Sequence, residues 1–266
     1  MHDESDADAF LIAVAMGDPD IVRSAIEADV DVNRIGRKGL PPIVLAAAQG
    51  REEILDLLLE AGADVNQADR NGGMTALHAA ATLGREELVR KLIVRGASLD
   101  ASFGRPPTTA LSIAFRNGFK DIVKCLLESG ANPNVSIETP SGPPEQRGVT
   151  PLIYAASVGD TEMVQLLIAH NADLSAPKAD GLTPLMVAAF AGQDRAVRLL
   201  AEAGADINAT HSLNPSKVFN ALDLAIANGH PEIVEYLSLR GAIPRGESGT
   251  GEKAGHNDLR KRDIAI

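Results

Sequence analysis

The chain has 266 residues, and its 25 basic and 36 acidic side chains give a formal net charge of −11, which disfavours nonspecific binding to phosphate backbones or anionic lipid but leaves room for a local basic patch. With no Trp and two Tyr it is poor in base-stacking platforms, and its one Cys makes no internal disulfide and fits a reducing compartment. No apolar run approaches the length of a membrane span, and the acidic opening Met1–Asp8 lacks the pattern of a signal peptide, so we expect a cytoplasmic protein, with nuclear entry left open.

After an acidic lead (1–7), the chain repeats one phrase, clearest from Gly50 to Asn66. A glycine opens it, apolar residues at 54, 55, 58 and 59 follow at helical spacing, Gly62 closes the helix, and Ala63-Asp64-Val65-Asn66 leads into a turn. The opening glycine recurs as Gly17, Gly50, Gly84, Gly118, Gly159, Gly192 and Gly229, at intervals of 33, 34, 34, 41, 33 and 37. The closing position keeps the same intervals through Asp29, Gly62, Gly96, Gly130, Asn171, Gly204 and Gly241. A helix end that turns left-handed favours Gly and next tolerates Asn or Asp, the two exceptions found here.

Nine residues before the opening glycine lies a third landmark: Thr75-Ala76-Leu77-His78, Thr109-Ala110-Leu111-Ser112, Thr150-Pro151-Leu152-Ile153 and Thr183-Pro184-Leu185-Met186. Pro41-Pro42-Ile43-Val44 and Asn220-Ala221-Leu222-Asp223 are weaker copies, and Asp8-Ala9-Phe10-Leu11 is the weakest. Thr suits a helix N-cap, and Pro or Ala the first turn. Small pairs such as Ala46-Ala47 and Ala80-Ala81 allow a short helix to pack closely on its neighbours. Each unit is therefore a short helix, a tight turn, a second helix and an extended loop, with units at about 8–40, 41–74, 75–108, 109–149, 150–182, 183–219 and 220–244.

These residues resemble the ankyrin repeat family, whose period is about 33 and whose signature is Thr-Pro-Leu-His-x-Ala. The resemblance covers roughly residues 8 to 244. It implies an all-α solenoid of stacked helix-turn-helix units with projecting loops or β-hairpins. It also implies a non-enzymatic scaffold binding proteins through a concave groove, without nucleic acid, membrane, metal or cofactor, and expected as a monomer. Carried over by position, the groove and loop tips are Gln49, Met74, Thr82, Leu83, Phe103, Arg105, Arg116, Asn117, Ser157, Val158, Leu182, Phe190, Phe219 and Asn228. Arg116, Phe190 and Phe219 are the expected anchors, against the alternative that such residues cap packing between units. The family also suggests inter-loop hydrogen bonding for His78, and asparagine hydroxylation at positions matched by Asn33 and Asn66.

The remaining features are read along the chain. The charges of the second helices, such as Glu52, Glu53, Glu86 and Lys91, read as a solvated face. Phe103 either anchors a partner or folds back on its neighbours. Cys125, between Ile122-Val123 and Leu126-Leu127, reads as packing rather than a reactive thiol. The insertion 135–148 is either an extended finger stiffened by Pro140, Pro143 and Pro144 or a tolerated lengthening, and a smaller one spans 209–219. Ser238 in place of a Leu marks a C-terminal cap, and 245–266 reads as a disordered polar tail, which an adaptor would use to recruit a second factor. Gly246 to Lys253 mimics a phosphate loop, but Glu252 replaces its lysine. The six His form no ligand spacing.

Overall fold

The computed structural model describes residues 3–138, 148–214 and 217–245, with the side chains of 3–8, 213, 214 and 217 outside the description. The chain divides into two compact units, Met1–Asn132 and Pro133–Ile266.

The first unit stacks four helix pairs: α1 (Asp3–Met16) with α2 (Pro19–Glu27), α3 (Pro42–Ala48) with α4 (Glu52–Glu60), α5 (Ala76–Thr82) with α6 (Glu86–Val94), and α7 (Ala110–Arg116) with α8 (Lys120–Glu128). The inner helices α1, α3, α5 and α7 pack in series, as α2 does on α4 and α6 on α8. The second unit has three pairs: α9 (Pro151–Val158) with α10 (Thr161–Ala169), α11 (Pro184–Phe190) with α12 (Asp194–Glu202), and α13 (Ala221–Asn228) with α14 (Pro231–Leu239). Short antiparallel hairpins project: β1 (Ser102–Phe103) pairs with β2 (Thr108–Thr109), and β3 (His211–Asn214) with β4 (Lys217–Phe219). The first helix begins at Asp3.

The caps follow the landmarks. Thr109, Thr150 and Thr183 accept from the backbone N–H three residues on, and Asn220 does the same before α13. The opening glycines have positive φ, and the positive-φ residues other than glycine among those described are Asp29 and Asn171, both at 61°. Ala46, Ala47, Ala80 and Ala81 are fully buried where inner helices meet. On the outer helices the charges pair at the surface, as in Arg90 with Glu86 and in Lys91 Nζ with Asp56 Oδ2 at 2.6 Å; such exposed pairs each add little stability. Cys125 is buried and free, and burial pushes its thiol pKa up.

Two side-chain series join successive pairs. At five joints the residue after the opening glycine lies over the glycine of the preceding pair: Arg51 over Gly17, Arg85 over Gly50, Phe119 over Gly84, Gln193 over Gly159 and His230 over Gly192. Three of them also meet a carbonyl at the end of the preceding inner helix: Arg51 Nη2 donates to Ala15 O (3.4 Å), Gln193 Nε2 donates to Ser157 O (3.2 Å), and His230 Nε2 is 3.2 Å from Phe190 O. In the loops, Asn33 Oδ1 accepts from Asp64 N (2.7 Å) while its Nδ2 donates to Gly62 O (3.3 Å). Asn66 repeats this with Ser98 N (2.7 Å) and Gly96 O (3.1 Å), and Asn208 with Ile243 N (2.9 Å) and Gly241 O (3.3 Å). Asp100 accepts from Asn132 N at 2.9 Å and Asn134 from Asp173 N at 2.8 Å.

Candidate functional site

The inner helices end in a short exposed segment before each opening glycine, because the chain must leave the packed core to turn. In the first unit this segment presents Gln49 on the C-cap of α3, Thr82 and Leu83 at the end of α5, and half-buried Arg116 with exposed Asn117 at the end of α7. The same column begins in α1 with Met16, 73% exposed, and Ile12 one turn earlier is 57% exposed. Met16, Gln49, Leu83 and Asn117 thus follow one another across adjacent inner helices, with Leu83 45% exposed. Burial lowers the pKa of the Arg116 guanidinium.

In the second unit Val158 and half-buried Ser157 occupy the column on α9, and Tyr154 lies exposed one turn before Val158 on the same face. Asn228 is half-buried. Several polar members are turned onto their own helices: Thr82 Oγ1 donates to His78 O (2.8 Å), Ser157 Oγ to Tyr154 O (2.7 Å) and Asn228 Nδ2 to Leu224 O (2.8 Å).

Three expected contacts lie inside the protein. Phe190 is 6% exposed at the end of α11, Phe219 is 2% exposed, and Leu182 is 1% exposed. Phe219 is held edge-on to the His211 ring, with centroids 5.2 Å apart, by the β3–β4 register that sets the two residues opposite each other. Leu182 closes a tight loop by accepting from Lys178 N at 3.0 Å. As aromatic and aliphatic groups beside a growing core, they gain more from burial than from facing water. Ile12, Met16 and Tyr154 were not among the expected contacts. Met16 shares the column of Gln49 and Leu83, but α1 carries the weakest copy of the landmark, which obscures the equivalence.

At the loops, Phe103 folds back, half-buried, onto His78, with ring centroids 4.8 Å apart. His78 itself is buried. Its Nδ1 accepts from Thr75 N (3.1 Å) and lies 2.8 Å from Thr75 Oγ1, which makes Nε2 the protonated nitrogen donating to Ala101 O at 2.8 Å. Burial lowers the pKa of this imidazole. Met74 is half-buried at the base of its loop, and Arg105 is exposed on the β1–β2 turn.

The described ends of the insertion pair with each other: Ile137 N donates to Val149 O (2.9 Å) and Gly148 N to Glu138 Oε2 (3.3 Å). Residues 139–147, the tail from 246 and the phosphate-loop mimic lie outside the described residues. Within the described residues no helix is long and apolar enough to cross a membrane.

The family profile "Ankyrin repeats (3 copies)" matches residues 10–103, 69–137 and 111–211. The chain belongs to the ankyrin repeat family. This family is in general a non-catalytic protein-interaction fold, and the paired helices and projecting hairpins are its architecture. Among solved structures, the ankyrin repeat domain of Bcl-3, described as a unique member of the IkappaB protein family, is 27% identical with a TM-score of 0.68, covering 87% of this chain and 97% of that one. The human ASB11 ankyrin repeat domain is similar at 24% identity and a TM-score of 0.58, covering 88% and 98% respectively, a likeness of fold. No curated protein matches the sequence.

Proposed function

We propose that this ankyrin repeat protein is a cytoplasmic, non-catalytic binding module that holds a protein partner on the inner-helix ends of its first unit. The observation that carries this reading is the exposure of Ile12, Met16 and Leu83 in the column that also holds Gln49 and Asn117. Exposed apolar side chains rimmed by polar ones match the composition of a binding patch, in which a few apolar or Arg anchors dominate the energy. Arg116 at the end of the column adds one cation. Tyr154 and Val158 give the second unit a smaller patch of the same kind.

A photo-crosslinking amino acid in place of Leu83, compared with one in place of Arg90 on the outer face of α6, tests the reading in cell extract. Crosslinks to a defined protein from position 83 and not from 90, lost in a Met16→Glu variant that keeps its helical circular dichroism, are the expected result. Crosslinks arising equally from both positions, or only from 90, would sink it.

A further inference from the structure

The loop tips of the first unit form a row of cations held together by backbone. In the first loop Gly39 N donates to Gly36 O at 2.8 Å, which places Arg37 and Lys38 at the apex of the turn. The second loop docks on it: Arg70 N donates to Gly39 O (2.9 Å) and Asn71 Nδ2 to Lys38 O (2.8 Å). The third docks on the second, with Gly104 N donating to Gly72 O at 3.3 Å, and this sets Arg105 next in line. Arg37, Lys38, Arg70 and Arg105 are all exposed. The loop carboxylates also hold turns: Asp31 and Asp64, both exposed, accept from Asn33 N and Asn66 N, and half-buried Asp69 takes the N–H groups of Gly72, Gly73 and Met74.

Among the described residues of the second unit, the turn 178–181 is built differently. It carries Lys178, whose side chain is only 3% exposed and pairs with Asp180 at 2.8 Å. The outer helix α4 is acidic, through Glu52, Glu53, Asp56 and Glu60, in a chain of net charge −11. Clustered cations on a chain of net negative charge attract an anion locally, and their alignment gives that attraction a direction.

We propose that the loop-tip row of Arg37, Lys38, Arg70 and Arg105 recognises an acidic segment of a protein partner. The proposal rests on the inner-face reading above, since Met16 and Leu83 would take the apolar residues of the same partner. A peptide fits better than a nucleic acid. Four cations on a strongly acidic protein are few for phosphate binding, and the aromatic ring beside the row, Phe103, is turned onto His78 instead of offering a stacking face.

The test is selection of a random peptide library, displayed on phage, against the full chain and against a Lys38→Glu/Arg70→Glu/Arg105→Glu variant whose fold is checked by circular dichroism. Peptides rich in Asp and Glu are expected from the parent chain, and synthetic copies should bind the triple variant at least about tenfold more weakly and lose affinity with added salt. No acidic enrichment, or the same peptides selected by both chains, would overturn the proposal. So would tighter binding of a poly(U) oligonucleotide through the same three residues, which would assign the row to nucleic acid. Repeating the titrations with a Met16→Glu/Leu83→Glu variant separates the two readings. Acidic peptides that need the tips and ignore this second variant would support the row and count against the inner face; the reverse pattern would keep the inner face and remove the row.

Discussion

His78 is the residue at which burial, hydrogen bonding and protonation meet. It must stay neutral to accept at Nδ1 and donate at Nε2, and its folded pKa is lowered by burial. The unfolded chain then binds more protons than the folded one below about pH 6.5, so the stability this group contributes is present above that value and is lost as pH falls through the window down to the folded pKa. Urea midpoints measured from pH 7 to 5 should decline, and a His78→Gln variant should decline less steeply over the same range. Backbone strain gives a second residue-scale prediction. Asp29 and Asn171 sit at positive φ where the other units have glycine. Asn171→Gly should stabilise the chain by roughly 0.5–1 kcal/mol and Asn171→Ala should destabilise it by roughly 1 kcal/mol, read from urea melts.

Between elements, the joints rest on close approach. A Cβ on Gly84 would meet the Phe119 ring at 2.7 Å, whereas one on Gly229 meets nothing within 4 Å, and both glycines have positive φ. Gly84→Ala should therefore lower stability by about 1–3 kcal/mol more than Gly229→Ala, an excess due to overpacking alone. Removing the bridging amide in Asn66→Ala should cost about 1–2 kcal/mol, since it gives up bonds to both Gly96 O and Ser98 N. These joints also show what could be read in advance. The glycine columns and Thr caps are local requirements of turn and helix end, so residues 17, 62 or 150 announce them without knowledge of neighbours. Depth of burial is a property of the assembled pair. Phe190, two residues before Gly192, is enclosed, whereas Thr82, two residues before Gly84, is open, a difference the repeated phrase does not announce. Arg105 is legible as a loop tip, but its alignment with Lys38 and Arg70 is not: the three are more than thirty residues apart in sequence, and only the bonds between loops align them.

At the scale of a whole unit, a pair that leans on one neighbour has less support than a pair that leans on two. Ile21 on α2 and Ile243 after α14 are exposed, and Ser238 on α14 faces solvent. Hydrogen exchange followed by mass spectrometry should find α1 and α2 exchanging before α3 to α6, and α13 and α14 before α11 and α12; uniform exchange within each unit would contradict that order. The Asn bridges have a consequence for how such a chain changes length. Each bridge reaches only main-chain atoms of the pair that follows, so it is blind to that pair's side chains. Asn134 still meets Asp173 N although the longest insertion lies between them. A segment copied whole, from one opening glycine to the next, would arrive with its own bridge and offer a ready socket to the one before it. Evolution and the protein engineer can thus lengthen, shorten or reorder the array by duplication and excision, while an edit falling inside a socket breaks one seam and leaves the others closed.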